Sequence, residues 1–276
     1  MQIGELLQKS GGGLDAEVLL AFVIGVGREY LLAHEEEEVD LRLEDLFFSY
    51  MERARNGEPV AYIVGAKEFY GLDFYVDDRV LVPRPETEML VEEVILAVRE
   101  LGRPAKVLDV GTGSGCIAVS VAREFVESGE IDFVDAVDIS ADALEVARVN
   151  ALNQGVSEIV NLFEGDLMEG IDEVYDVIVA NLPYIGEETN RHVAEGVEKY
   201  EPKSALFGGG NGLDLYERLF EQVNELGFGV LIGEFCYGQG EEIQELLDRF
   251  FPGDFVIKKD LAGIDRVFIV QGNYAN

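Results

Sequence analysis

The chain has 276 residues, 48% of them apolar, enough for one large domain, a small one and a sizeable core, which excludes a disordered chain. No run approaches about eighteen uninterrupted apolar residues, the start Met1-Gln2-Ile3-Gly4-Glu5 lacks a basic-then-apolar leader pattern, and Cys116, Cys236, His34 and His192 show no ligand spacing, so the expectation is a cytoplasmic protein with no membrane partner, disulfide framework or structural metal. A balance of 21 Lys plus Arg against 55 Asp plus Glu, net -34, repels phosphate backbones and argues against direct nucleic-acid binding, and few Lys among many Glu also suits a salt-rich setting.

The first segment reads as a small helical bundle. Asp15 is placed to cap the apolar run 16–23, a second apolar-periodic run covers Leu41 to Ala54, and Glu35-Glu36-Glu37-Glu38 between them reads as a solvated loop or helix end. From Tyr62 to Val82 the pattern turns β-type, with two short strands around a Gly-Leu-Asp turn in Phe69 to Val76. Pro83-Arg84-Pro85 blocks helix, and Glu86 or Thr87 opens a long one through Glu100, whose acidic residues Glu86, Glu88, Glu92 and Glu93 suit a first turn and an exposed face better than a metal site.

Strands and helices then alternate. Lys106 to Val110, Phe133 to Val137 and Val174 to Ala180 read as strands, and Ile117 to Val126 and Ala141 to Asn153 as helices between them, with a further strand before Gly165. Such spacing implies parallel pairing through right-handed crossovers and a doubly wound sheet. Leu213 to Leu226 and Glu241 to Phe250 read as helices, Gly229 to Gly233 as a strand, and Phe255 to Lys258 with Arg266 to Val270 as a closing antiparallel pair.

Candidate cofactor residues lie at the strand ends. Gly111-Thr112-Gly113-Ser114-Gly115 turns the chain from strand to helix where open α/β sheets bind cofactors, a pattern that a dinucleotide site shares. Asp109, inside the strand end, favours the cationic methionine portion of S-adenosyl-L-methionine over a pyrophosphate. Asp138 after the second strand can accept from both ribose hydroxyls, and Asp166, followed by Leu167, can accept from the exocyclic amine of adenine.

The most informative segment is Asn181-Leu182-Pro183-Tyr184. A planar amide nitrogen is a poor nucleophile because its lone pair is delocalised, so both hydrogens must be engaged by acceptors while the lone pair faces the methyl carbon. The Asn181 side-chain carbonyl and the Leu182 backbone carbonyl, held by Pro183, supply two acceptors, and Tyr184 can stack on the flat group. The chemistry expected is in-line methyl transfer governed by orientation.

With these residues the chain resembles the HemK/PrmC family of protein-(glutamine-N5) methyltransferases. The likeness also rests on Gly57-Glu58-Pro59-Val60-Ala61-Tyr62-Ile63, Lys67 to Leu72, Val82-Pro83-Arg84-Pro85-Glu86-Thr87-Glu88, Glu201-Pro202 and Gly212-Leu213. The resemblance implies a Rossmann-like α/β fold of seven strands, with a helical N-terminal domain at 1–60 for substrate recognition, a hairpin linker at 61–85 and a catalytic domain at 86–276. It further implies that Gly111 to Gly115, Asp138 and Asn181 contact S-adenosyl-L-methionine, and that Asn181 through Tyr184 hold the glutamine of a Gly-Gly-Gln motif in a peptide-chain release factor. Arg84 is a further candidate for closing the pocket or meeting that partner, and a monomer is expected. The family pattern is Asn-Pro-Pro-Tyr, and here Leu182 stands in place of the first proline. Two rival readings stay open: an adenine-N6 methyltransferase on DNA or RNA, whose acceptor is also planar, and a cofactor-binding module without catalysis.

Overall fold

The computed structural model describes residues 1–186 and 195–272, and His192 lies outside the described residues. The chain divides into two compact units, residues 1–66 with the segment near Glu195–Tyr200, and the remainder.

In the first unit the elements are α1 (Ile3–Lys9), α2 (Leu14–Ile24), α3 (Arg28–Ala33), α4 (Leu41–Arg55) and α5 (Val60–Val64). Their buried faces meet in one core that includes Leu6, Leu19, Leu20, Leu31, Phe47 and Ile63. Asp40 caps α4 by accepting from the Arg42 amide at 2.8 Å, and α2 ends on Gly25 in the left-handed conformation. Gly13, not Asp15, is the N-cap of α2, and Asp15 sits in the first turn, where a carboxylate suits the helix dipole. α1 and α3, at 7 and 6 residues, are too short to show a helical period in the sequence. Tyr62 is helical because α5 completes the apolar core before any strand begins.

The second unit opens with a hairpin, β1 (Ala66–Phe69) and β2 (Leu72–Tyr75). Its turn is Tyr70-Gly71, both at positive φ (51° and 71°), the twist that a two-residue hairpin needs, so Leu72 belongs to the strand. A 3-10 turn at Pro85–Thr87 precedes α6 (Glu88–Leu101), followed by β3 (Ala105–Val110), α7 (Cys116–Phe125), β4 (Ile131–Asp138), α8 (Ala141–Asn153), β5 (Val160–Glu164) and β6 (Val177–Ala180). After α9 (Glu195–Tyr200) come α10 (Asp214–Leu226), β7 (Val230–Glu234), α11 (Gly240–Phe250), β8 (Phe255–Lys259) and β9 (Asp265–Gln271).

The seven-stranded sheet runs β5-β4-β3-β6-β7-β9-β8, parallel from β5 to β7, with β9 antiparallel to both β7 and β8. The order reverses at β3, where the chain continues to β4 on one side and β6 lies on the other, and this switch point opens a crevice at the strands' carboxyl ends. Because side chains alternate across a strand, the sheet has two apolar faces. Val107, Val179, Ile232 and Val267 pack with α6 and α7, whereas Leu108, Ile178, Leu231 and Phe268 pack with α10 and α11.

Candidate active site

A cavity of about 300 Å³ lies at the carboxyl ends of β3, β4, β5 and β6. Its floor is the loop after β3. Gly111 and Gly113 take φ of 75° and 55°, and the amides of Gly111 and Thr112 both bond the Val137 carbonyl, at 2.8 and 3.0 Å, which folds the loop back over β4. Gly111, Thr112, Gly113 and Ser114 line the cavity. Gly115 does not, and it serves packing: a Cβ there would lie 3.0 Å from that of Ala147 on α8.

Asp109 is fully buried behind the loop rather than on the cavity wall. Its Oδ2 accepts from the Thr112 hydroxyl at 2.6 Å and the Ala118 amide at 3.2 Å, so it ties the loop to the start of α7. Burial pushes its carboxyl up to about 7, against the pull of those two donors. Asp138 does line the cavity, where its two oxygens accept from the amides of Ser140 and Gly113 at 2.9 and 2.8 Å. Burial raises its pKa as well.

Asn150 carries no motif, yet it ties three segments together. Fully buried on α8, it donates to the carbonyls of Ser114 and Tyr75 and accepts from the Tyr75 amide at 2.7 Å. A polar residue between Ala147 and Ala151 on the buried face of α8 is the signal that marks it.

At the end of β5, Asp166 lines the cavity and pairs with Arg218 of α10 at 2.7 Å, so Arg218, which no motif singles out, sets how that carboxylate lies. Leu167 lines the cavity too, in a left-handed conformation (φ 55°) rare for a branched side chain. Ile139, 62% exposed, and Leu81, Phe207 and Leu215 add apolar wall that no motif announced, and Arg84 is among the lining residues.

Asn181, Leu182 and Pro183 line the cavity beside the glycine loop. Asn181 Nδ2 donates to Thr87 Oγ1 at 3.0 Å. The Leu182 side chain is 2% exposed, and a Cβ on Gly111 would come 3.1 Å from its Cδ2. Unlike a proline, Leu182 keeps an amide hydrogen, which donates to the Tyr216 hydroxyl at 3.5 Å. Tyr216 in turn donates toward the carbonyls of Ala180 and Glu234, at 3.1 and 2.5 Å.

Tyr184 is not a lining residue; its hydroxyl donates to Glu234 Oε1 at 3.3 Å, and burial raises its pKa. The segment is backed by 206–212: the Ile185 amide bonds the Leu206 carbonyl at 2.9 Å, the Gly208 amide bonds the Ile185 carbonyl at 3.0 Å, and Gln239 donates to the Tyr184 carbonyl at 2.9 Å. Among the described residues no cluster of His, Cys, Asp or Glu has metal-binding geometry, and no helix is long and apolar enough to cross a membrane.

Comparison with known proteins agrees with this architecture. Residues 4–65 match the family described as PrmC N-terminal domain, and 86–210 match the methyltransferase small domain. Release factor glutamine methyltransferases are similar over nearly the whole chain: 40% identity to that of Koribacter versatilis, covering 93% of this chain and 90% of the relative, and 36% to that of Bacillus anthracis, covering 96% and 95%. Among solved structures, the hMettl16 catalytic domain aligns with a TM-score of 0.58 at 13% identity, covering 73% of this chain and 76% of the other. The T. thermophilus 16S rRNA methyltransferase RsmC aligns with 0.54 at 17% identity, covering 75% and 49%, and at such identities the two share the fold. The chain belongs to the release factor glutamine methyltransferase family.

Proposed function

We infer that this protein transfers a methyl group from S-adenosyl-L-methionine to the side-chain amide nitrogen, N5, of the glutamine in the Gly-Gly-Gln motif of a peptide-chain release factor. The observation that carries the reading is the placement of Asn181, Leu182 and Pro183 on the same cavity as the glycine loop, at the tip of the strand next to it.

The cavity suits the methyl donor. A Cβ on Gly113 would meet nothing within 4 Å, so that backbone faces open room that a ligand can enter closely. Asp138 has lone pairs left after its two backbone donors and fits ribose hydroxyls, and Leu167 and Ile139 offer apolar surface beside Asp166 for a flat base. Asp109 holds the loop's shape from behind. When bound, S-adenosyl-L-methionine supplies an electrophilic methyl on a sulfonium.

The protein's own part is to hold the glutamine amide. Asn181 Oδ1 and the Leu182 carbonyl accept its two N–H groups, which leaves the nitrogen lone pair out of those bonds and directed along the line of transfer. Pro183 fixes the backbone that carries the second acceptor. Orientation of this kind is worth up to about 7–11 kcal/mol, the right scale for a reaction without a strong base, in which the N5–CH3 bond would form as the S–CH3 bond breaks to leave the neutral thioether, and the nitrogen would lose one N–H proton to water.

The N-terminal helical unit is assigned to substrate recognition, ahead of the hairpin linker and the catalytic domain. The protein acts as a monomer in the cytoplasm on a protein partner, and the net charge of -34 opposes an RNA or DNA substrate. The test is transfer of isotopically labelled methyl to purified release factor, beside a factor whose motif glutamine is replaced by alanine. Label is expected only on the former, and Asn181→Ala is expected to abolish it while donor binding stays measurable. Equal labelling of both factors, or normal turnover by the variant, would end the assignment.

A further inference from the structure

Gln239 and Gly212 are loop residues that neither the donor site nor the acceptor segment uses, and they meet behind the strand tip. β6 leaves the sheet ladder at Ala180, which pairs with Gly233, so Asn181, Leu182 and Pro183 stand beyond the last ladder pair and take their position from contacts outside the sheet. On the upstream side the Leu182 amide reaches the Tyr216 hydroxyl at 3.5 Å, a long bond. On the downstream side the Tyr184 carbonyl accepts from Gln239 Nε2 at 2.9 Å.

Gln239 is itself firmly held. Its backbone amide bonds the Cys236 carbonyl at 3.1 Å and its own carbonyl accepts from the Ile243 amide at 2.9 Å, which fixes it at the first turn of α11. Its Oε1 accepts from the Cys236 amide at 3.0 Å, and Nε2 donates to the carbonyls of Tyr184 and Asn211, at 2.9 and 3.2 Å. A backbone amide only donates and a backbone carbonyl only accepts, so all three bonds demand the same orientation of the side-chain amide. One neutral group thus joins the tip after β6, the loop before α10 and the turn between β7 and α11. Gly212 leaves room for it: its φ is 89°, and a Cβ there would lie 2.2 Å from the Tyr184 carbonyl oxygen and 2.8 Å from Gln239 Nε2.

We propose that Gln239 is a positioning residue for methyl transfer, clamping the Tyr184 carbonyl so that the Asn181 side chain and the Leu182 carbonyl stand where the acceptor amide requires them. This rests on the glutamine reading above, and Gln239 lies off the cavity lining, in contact with neither donor nor acceptor. Without Nε2 the carbonyls of Tyr184 and Asn211 lose their shared donor and the tip shifts, where a displacement of about 1 Å costs on the order of 100-fold in rate. The floor beneath the donor is braced by other bonds, through Val137, Asp109 and Asn150, and stays in place.

The experiment measures kcat per donor-binding site, donor dissociation constant and pH dependence with release factor as substrate, for wild type, Gln239→Ala and Gln239→Glu. At about pH 8 kcat is expected to be about 10- to 100-fold lower in both variants, with donor affinity within about threefold. Gln239→Glu keeps the shape and the acceptor for the Cys236 amide, but ionised it turns an oxygen toward two carbonyls. Protonated, it regains one donor, and the carbonyl oxygens around it favour that form. Its kcat relative to wild type should therefore recover about fivefold or more as pH falls from about 8 to about 5.5, while the ratio for Gln239→Ala stays level. The titratable groups on the segments around Gln239 are Tyr184, Asp214, Glu234, Cys236, Glu241, Glu242 and Asp265; they are the same in every variant, and the ratio removes their effect.

A kcat near wild type in either variant at about pH 8, donor binding that weakens in step with kcat, or a Gln239→Glu ratio that ignores pH would overturn the proposal. If Gln239→Ala does not fold, Gln239→Glu, which keeps the side-chain volume, decides. Absence of transfer by the wild type would instead sink the glutamine reading itself, and this inference with it.

Discussion

At the scale of single residues, the two buried carboxyls beside the site behave oppositely to the paired ones at the surface. Asp77, held by Arg79 at 2.6 Å, is pulled down to about 2, whereas desolvation pushes Asp109 up to about 7. Folded, Asp109 keeps its proton up to about 7, while an unfolded aspartate releases it near 3.9. Between those values the folded chain binds more protons, so the contribution of Asp109 to stability is fully present below the unfolded pKa and is lost as pH rises through the folded one. At about 1.4 kcal/mol per pH unit, Asp109→Asn should remove about 3 kcal/mol of the decline between roughly pH 5 and pH 8. Urea unfolding midpoints of both proteins at the two pH values check this, and equal pH slopes would refute it. Asp109 was legible in the sequence as a polar residue at the strand end. Its bracing role was not, because whether a carboxylate faces a ligand or ties down a loop depends on Thr112 and the Ala118 amide behind it. The exchange of proline for Leu182 has a similar answer, since the hydroxyl of Tyr216, distant in sequence, receives the extra amide hydrogen.

At the scale of elements, what the sequence showed well were those with a long period. The helix 141–153 has the bounds expected of it, because Ser140 caps it by accepting from the Ala143 amide at 3.2 Å. What stayed hidden was how loops meet. The segment 206–212 has no period, and its glycines gave no hint that they support the acceptor strand tip. A Cβ on Gly208 would fall 2.0 Å from the Pro183 carbonyl oxygen and 2.7 Å from that of Gly212, both backbone atoms that cannot move aside alone. Gly208→Ala must therefore push the Asn181 to Tyr184 loop out of place. Since a displacement of about 1 Å costs on the order of 100-fold in rate, the variant should lose kcat on that scale. Donor affinity should change only a few-fold, because the glycine loop after β3 is braced separately by Val137, Asp109 and Asn150. Calorimetric titration of the donor beside steady-state kinetics separates the two effects, and a loss of donor binding equal to the loss of kcat would contradict it.

At the scale of the whole molecule, the doubly wound character of the sheet followed from the alternation of strands and helices, since parallel pairs need crossovers and crossovers have one hand, whereas the strand order β5-β4-β3-β6-β7-β9-β8 and its switch point rest on which strands pair across the fold. The charge says nothing about fold, yet it governs how the fold responds to its solvent. With 55 acidic residues against 21 basic ones, pairing every cation still leaves 34 carboxylates uncompensated. Arg28, Arg53, Arg99, Arg148 and Arg249 each already hold a glutamate at 2.5 or 2.6 Å, so the surplus acts as self-repulsion that unfolding relieves. Salt shortens the reach of that repulsion from about 10 Å at 0.1 M to about 3 Å at 1 M, and it weakens the exposed ion pairs far less in total, because each is worth under about 1 kcal/mol. Stability should therefore rise with NaCl, the reverse of a fold that depends on surface ion pairs. A gain of a few kcal/mol corresponds to a midpoint higher by on the order of 5 to 10 °C. Thermal unfolding followed by circular dichroism from about 0.05 M to about 1 M NaCl, with sucrose as the control for solute exclusion, measures it. A midpoint that stays level or falls as salt is added would mean that the carboxylates are compensated within the fold after all.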